Sequence, residues 1–311
     1  MTSLAYLLPG QGSQAVGMGR AFYDRCAESR DIYKRASGYL GFDVAALCFD
    51  GPQEELAKTQ KCQPALLVTS VAAFAAFHTL APACTPVGAA GLSLGEITAL
   101  AVSDSLRFAD AVYLVQARAE AMAECAAHHP GAMLAVIGLS DETIREICRQ
   151  ADVVAANFNA PDQVVLSGRV PGIEDAERLA KATGAKRAVR LDVAGAFHSP
   201  LMEEAASRFR QALAKVHIAT PKFPVISNVT GEPVGDPEDI RELLVKQIVS
   251  PVLWESSMRR LIQDGTALFV EFPPARVLTA MLRRIDSTVK GISIEGPADF
   301  DKLTGPLAPM V

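Results

Sequence analysis

Residues 87–102 read Val-Gly-Ala-Ala-Gly-Leu-Ser-Leu-Gly-Glu-Ile-Thr-Ala-Leu-Ala-Val. Val87–Ala90 is short and apolar and reads as a buried strand. Gly91-Leu92-Ser93-Leu94-Gly95 is a tight G-x-S-x-G turn, and Glu96–Val102 has helical composition. A serine between a strand and a helix in this way sits on an elbow whose backbone is strained, and the flanking glycines leave room for it. The turn also lies at a helix start, where the amide of Leu94 faces any developing oxyanion. Strand, elbow and helix together point to an α/β fold with a nucleophilic Ser93.

The rest of the chain supports that class. Leu4–Leu8 (LAYLL) is a first buried strand that ends in a Gly-rich turn. Residues 64–80 are apolar and begin at Pro64, which predicts a buried helix with proline at its first position. Strands are expected at Pro224–Ile226, Ala267–Val270 and Val289–Ile294. Helices are expected at Asp239–Val249, Leu253–Asp264 and Ala275–Ile285. Such alternation favours a largely parallel sheet.

The middle of the chain departs from this order. Ala132–Gly138 reads as a strand, followed by a helix that Ser140 opens and Arg149 ends. Val153–Asn157 and Gln163–Ser167 read as strands around an Asn159-Ala160-Pro161-Asp162 turn. Pro171–Thr183 reads as a helix and Ala188–Val193 as a last strand. The order β-α-β-β-α-β is that of a ferredoxin-like unit. Residues 127–195 are therefore expected to form a small subdomain inserted into a larger α/β domain made of 1–126 and 196–311, with His128-His129-Pro130-Gly131 marking the boundary.

Composition narrows the function. The 311 residues are 50% hydrophobic with a formal net charge of −5, which speaks against a protein that coats nucleic acid or anionic membrane. No uninterrupted apolar run approaches the roughly 20 residues needed to span a bilayer. The N-terminus lacks a basic region and breaks at Pro9-Gly10, so no signal peptide is expected. The six cysteines form no C-x-x-C pair and show no zinc-site spacing with a histidine, so reduced thiols in the cytoplasm are expected and no metal site.

A serine nucleophile needs a base. Of His78, His128, His129, His198 and His217, only His198 has a telling setting, Gly195-Ala196-Phe197-His198-Ser199-Pro200. Ser199 fits an N-cap and Pro200 a first helical position. The ring then sits at the positive end of a helix, which disfavours imidazolium and keeps it able to accept a proton. Arg118 is the third clue. On a helix through 107–124 it falls on the apolar stripe of Ala111, Leu114, Val115 and Met122, opposite Asp110, Gln116, Glu120 and Glu124. A guanidinium facing a core or cleft needs a partner. Either an acidic side chain pairs with it structurally, or it is a fork for a substrate carboxylate. Gly10-Gln11-Gly12-Ser13-Gln14 follows the first strand. It fits a dinucleotide fingerprint only with Ala15, and no acidic residue follows a second strand at the required distance. A loop that offers a backbone amide to the serine fits equally well.

These motifs resemble those of the malonyl-CoA:acyl carrier protein transacylase family, which includes the acyltransferase domains of polyketide and fatty acid synthases. The resemblance spans nearly the whole chain. It rests on Pro9-Gly10-Gln11-Gly12-Ser13-Gln14, Gln63-Pro64-Ala65-Leu66, Gly91–Glu96, Gln116-Ala117-Arg118 and Asn157-Phe158-Asn159 with Gln163–Gly168. It continues through Gly195-Ala196-Phe197-His198-Ser199, Ser227–Gly231 and Gln247–Trp254. The family fold is an α/β-hydrolase-like core with a ferredoxin-like insertion.

The resemblance implies that Ser93 carries the acyl group and that His198 is its base and then the acid for the leaving thiol. It implies that Arg118 binds the free carboxylate of malonate, and that the amides of Gln11 and Leu94 form the oxyanion hole. A main-chain carbonyl near Gln247 would orient the histidine. Phe197 goes with malonyl rather than branched extender units, and Gln63 and Asn159 match positions lining the cleft. The implied partner is acyl carrier protein, whose phosphopantetheine thiol collects the malonyl group. Malonyl-CoA is the substrate, no cofactor is held permanently, and a monomer is expected. Lys181, Lys186, Arg187 and Arg190 are a candidate carrier-docking patch on the small domain, or else a solvated basic surface. An acyl hydrolase, or a non-catalytic carrier-binding protein, are the alternative readings. Two positions depart from the family pattern. Leu92 stands where a histidine is usual, and Glu271-Phe272-Pro273-Pro274-Ala275 replaces an E-x-G-P-G turn, so that loop must take another path.

Overall fold

Side chains alternate across a strand, so a strand apolar at every position must be covered on both faces. Leu4–Leu8 is such a strand. Leu4, Tyr6 and Leu8 pack into one buried cluster and Ala5 and Leu7 into another. The computed structural model describes residues 3–80, 84–274 and 276–303. Its strands are β1 (Leu4–Leu8), β2 (Gly88–Gly91), β3 (Gly131–Ile137), β4 (Val154–Ala160), β5 (Gln163–Arg169), β6 (Arg187–Arg190), β7 (Val225–Ile226), β8 (Pro233–Val234), β9 (Leu268–Glu271) and β10 (Lys290–Ser293).

The larger sheet has the order β10-β9-β1-β2-β7-β8, parallel except where β8 turns back on β7. The helices Thr59–Leu80, Phe108–His128, Glu203–Leu213 and Pro237–Gln247 contribute to the cluster on one face. Trp254–Gln263 and Leu278–Ile285 cover the other. The smaller sheet is antiparallel with order β4-β5-β3-β6, the ferredoxin-like arrangement. On its outer face Leu134 and Val136 pack on the helices Asp141–Ala151 and Val170–Ala182. Met133 and Ala135, one residue out of phase, join the core of the larger sheet. The small sheet is thus sealed onto the large one by apolar contact. A bridge also pairs Asn157 of β4 with Val252.

Several elements differ from the sequence expectation. The long helix begins at Thr59, not Pro64. The carbonyl of Lys58 accepts from the amides of Lys61 and Cys62, which closes a first turn before the proline. Pro64 then removes a single donor, and burial of Cys62, Gln63 and Ala65 outweighs that loss. This helix is long and apolar enough to cross a membrane by length and composition, yet 72% of its apolar window is buried inside the protein. Asn159 and Ala160 belong to β4 rather than to a turn, because two register shifts in the β4–β5 ladder extend the pairing to Ala160 opposite Gln163. The helix bearing Arg118 runs on to His128. The helix expected from Ala275 begins at Leu278, and Ala275 lies outside the described residues. In the altered late loop the positive φ (82°) falls on Arg276.

Candidate active site

The elbow is built by close backbone approach. A Cβ on Gly91 would meet the carbonyl of Gly95 at 1.9 Å, and one on Gly95 would meet the carbonyl of Leu8 at 2.1 Å. One on Gly10 would meet the carbonyl of Leu92 at 2.3 Å. These glycines press the end of β1 and the Gly10-Gln11 turn against the start of the helix Leu94–Val102. Ser93 stands between strand and helix with φ 53°, ψ −103°, a conformation that non-glycine residues avoid and active sites use. Asn228 holds it there. Its Oδ1 accepts the Ser93 amide at 2.6 Å and its Nδ2 donates to the Gly91 carbonyl at 2.8 Å.

His198 also has positive φ (57°), immediately before Ser199, whose hydroxyl accepts the Leu201 amide at the start of the short turn Pro200–Met202. The imidazole Nε2 lies 2.7 Å from Ser93 Oγ, and Nδ1 lies 2.8 Å from the Gln247 carbonyl. A carbonyl only accepts, so Nδ1 carries the proton and Nε2 is left to take the serine proton. Burial and the nearby Arg118 charge lower the His198 pKa from 6.5 to about 4. The ring is therefore a neutral base at physiological pH.

Arg118 is 1% exposed. Its Nη1 donates to Gln63 Oε1 at 2.6 Å, and its Nη2 donates to Ser93 Oγ and to Gln247 Oε1, both at 2.9 Å. Its Nε has no partner. Among the described residues no carboxylate lies within ion-pair distance of it. Desolvation lowers its pKa to about 10, which still leaves it charged at neutral pH.

Two residues of the site escape a sequence reading. Asn228 is visible only as part of a motif without obvious chemistry. Glu96 follows the elbow glycine on an otherwise apolar helix and is buried, with Oε2 accepting from Gln247 Nε2 at 2.6 Å and from the Asn228 amide at 3.1 Å. Burial raises its pKa from 4.5 to about 7. A carboxylate in that apolar stretch was the available signal.

The remaining expected positions are placed as follows. Gln63 is buried against Arg118 and Met122. Gln11 anchors its side chain on Thr59 at 3.3 Å. Leu94 is the first residue of the helix after the serine, so its amide is one of the donors without an intrahelical partner. Asn159 is buried on β4 with an unpartnered Oδ1. Phe197 is packed into the main core. Leu92 packs against the second cluster. In the basic quartet, Lys181 pairs with Glu177, and Arg190 with Glu177 and Glu174. Lys186 and Arg187 are exposed. Away from the serine, Cys125, His129 and Glu204 hold a thiol, an imidazole and a carboxylate within 4.8 Å of one another. Cys125 and His129 are one helical turn apart, a pairing the sequence reading passes over.

A strained serine hydroxyl, a neutral imidazole and a buried guanidinium with no carboxylate at ion-pair distance among the described residues thus share one hydrogen-bonded cluster, an arrangement able to support covalent transfer of an anionic acyl group. Comparison with known proteins agrees. Residues 5–295 match the acyl transferase domain model. The chain is 39% identical over 306 residues to the malonyl CoA-acyl carrier protein transacylase of Bacillus subtilis, covering 97% of this chain and 96% of that one. Its structure is similar to the malonyl CoA-acyl carrier protein transacylase of Coxiella burnetii, with TM-score 0.96, 37% identity and 98% of each chain covered. It is likewise similar to a malonyl-transacylase solved in complex with its type II polyketide synthase acyl-carrier protein, with TM-score 0.94, 35% identity and coverage of 98% of this chain and 100% of that one. The chain belongs to the acyl transferase domain family and is an acyltransferase.

Proposed function

We propose that this enzyme moves a malonyl group from malonyl-CoA to the phosphopantetheine thiol of an acyl carrier protein, in fatty acid or polyketide synthesis. One observation carries the acyl choice: a buried guanidinium, with no carboxylate within ion-pair distance among the described residues, bonds the nucleophilic hydroxyl at 2.9 Å. A carboxylate one methylene beyond the reacting carbonyl satisfies that cation, whereas an acetyl group leaves it desolvated.

In the first half-reaction Ser93 Oγ bonds to the thioester carbon and its proton passes to His198 Nε2. The oxyanion is met by the amides of Leu94 and Gln11. The C–S bond then breaks, and the leaving CoA sulfur takes the proton from Nε2. In the second, the carrier thiol gives its proton to Nε2 and its sulfur attacks the seryl ester. Oγ leaves and recovers the proton. Gln247 holds the imidazole tautomer through its carbonyl. Gln63 and Gln247 keep the Arg118 fork in place, Asn159 lines the cleft, and Phe197 closes it beside the histidine. No cofactor takes part.

The partner is an acidic carrier protein. Residues 127–195 act as a subdomain that presents Arg187 on the edge strand β6 and Lys186 just before it, with Lys181 and Arg190 partly neutralised by Glu177. Free thiols at all six cysteines fit a reducing cytoplasm, and a monomer suffices because one chain supplies the whole site.

The test is mass spectrometry of the intact protein after incubation with malonyl-, methylmalonyl- and acetyl-CoA. A malonyl adduct is expected on the native chain and none on Ser93→Ala. A label that survives in Ser93→Ala removes the serine from the mechanism, and dominant acetylation removes the malonyl assignment. Release of free malonate in place of malonyl-carrier supports the hydrolase reading.

A further inference from the structure

Gln247 is asked to do two different things. Its backbone carbonyl fixes His198 and its side-chain oxygen receives Arg118. A side-chain amide has no intrinsic preference for which end faces which neighbour. If Gln247 turned end for end, its NH₂ would face the guanidinium, donor against donor. The Arg118 fork would then lose an acceptor beside the nucleophile.

Two acceptors hold the amide the right way round. Gln247 Nε2 donates to Glu96 Oε2 at 2.6 Å and to the Ser93 carbonyl at 3.0 Å. The Glu96 contact is the shorter, and Oε2 is the acceptor in both of its bonds, to Gln247 Nε2 and to the Asn228 amide. The same oxygen accepts the amide of Asn228, whose side chain holds the Ser93 amide. Glu96 therefore ties together the residue that fixes the nucleophile and the residue that fixes both the base and the cation. It lies one residue past the elbow glycine and is 2% exposed. It contacts the reacting hydroxyl only through these intermediaries.

We propose that Glu96 is a positioning residue for acyl selection: its carboxylate fixes the orientation of the Gln247 amide, so that Gln247 Oε1 holds Arg118 ready for the substrate carboxylate. The inference rests on the malonyl-transfer reading above. It assigns the malonyl preference to a chain Glu96–Gln247–Arg118, and the same carboxylate stabilises the charge of Arg118 across the intervening amide.

The experiment is Glu96→Gln, loaded in competition with equal malonyl-CoA and acetyl-CoA and read as the ratio of the two adducts by intact mass. The variant amide can donate as well as accept, so of the two acceptors only the Ser93 carbonyl still favours the native orientation of Gln247 without ambiguity. The malonyl:acetyl ratio is expected to fall by about 10-fold or more, the scale of one lost charge-assisted hydrogen bond. Total labelling of Ser93 should fall less, because acetyl transfer makes no use of the fork. Gln247→Leu keeps the backbone carbonyl for His198 and removes the amide, and the same fall is expected from it. Glu96→Asp, which keeps a carboxyl oxygen as acceptor, should recover part of the ratio. A Glu96→Gln protein that labels more slowly with both thioesters at an unchanged ratio overturns the proposal and leaves Glu96 a structural residue. If Glu96→Gln does not fold, an unchanged ratio in Gln247→Leu overturns it instead. The native enzyme run alongside separates the two levels: failure of the native chain to prefer malonyl refutes the function, whereas failure of the variants to lose the preference refutes only the role of Glu96.

Discussion

Arg118 and Ser93 are hydrogen bonded to each other, Nη2 to Oγ at 2.9 Å, on the same hydroxyl that lies 2.7 Å from His198 Nε2. The hydroxyl donates to the imidazole and accepts from the guanidinium. The guanidinium is thereby held at the serine oxygen before substrate arrives; in the proposed acylation Oγ exchanges its proton for the acyl carbon and becomes an ester oxygen, a weaker acceptor than the hydroxyl. In the proposed reaction the fork is then available to the carboxylate of the bound acyl group.

Arg118→Ala should lower malonyl loading by at least about 10²-fold, since a bidentate charge-assisted contact disappears while the thioester chemistry is intact. Acetyl loading should fall less, or rise. Arg118→Lys should restore malonyl loading only in part, because an ammonium cannot reproduce the fork. Adduct mass against time for each thioester checks all three.

The rate of acylation should hold to low pH. His198 is neutral down to about 4 because its charged form is desolvated and faces Arg118. The acidic limb of the acylation rate should therefore lie near pH 4. In Arg118→Gln that limb should move upward, toward the ordinary histidine value, because the second cause of the shift is gone. Stopped-flow CoA release across pH measures both; a native limb at the ordinary value would mean that burial does not govern the base.

Stability should show two opposed slopes. His198 has a folded pKa of about 4, below its ordinary 6.5, so the folded chain binds fewer protons in that window. Its contribution is present above pH 6.5 and lost as pH falls toward 4. Glu96 has a folded pKa of about 7, above its ordinary 4.5, so its contribution is present below pH 4.5 and lost as pH rises through 7. The two offset each other between these values. The stability of the native chain minus that of His198→Ala should thus rise from pH 4 to 6.5, by on the order of 3 kcal/mol at most. Urea titrations at several pH values give the difference, and a flat one removes the linkage.

Asn228→Ala should be costly out of proportion to its size. It leaves the Ser93 amide and the Gly91 carbonyl without their partners in a site where Asn228 itself is fully buried. Each orphaned group costs about 1–3 kcal/mol. A lower melting temperature and slower acylation are expected together, since the strained φ of Ser93 is no longer held. Calorimetry and burst kinetics test the pair.

Carrier docking gives a separate expectation. Charge reversal at Lys186 and Arg187 should raise KM for the carrier and leave KM for malonyl-CoA unchanged, because both side chains are exposed at the start of the edge strand of the smaller sheet. Steady-state kinetics with each substrate varied in turn decides it, and equal effects on both exclude the patch.

Much of this was legible in the linear chain, and for identifiable reasons. Leu4–Leu8 reads as a doubly buried strand because every position is apolar, and it is one. Gly91–Gly95 reads as an elbow because nothing larger fits where backbones approach to about 2 Å of a Cβ. Arg118 betrays itself as a charge on an apolar helical stripe. Local steric demand and periodicity act over a few residues, so residue order alone reports them.

The partners of that charge are another matter. Gln63, Ser93 and Gln247 lie 55, 25 and 129 residues away from Arg118. Only the packed fold decides that two amides and a hydroxyl, rather than an acid, meet the guanidinium. The same holds for Glu96 and Asn228, 132 residues apart, and for Pro64, whose helix starts early because of burial. Residue order determined the elements and the chemical types. The tertiary structure determined which polar groups face each other in the dry interior, because desolvation makes each such encounter either a bond or a penalty, and no local rule specifies which groups converge.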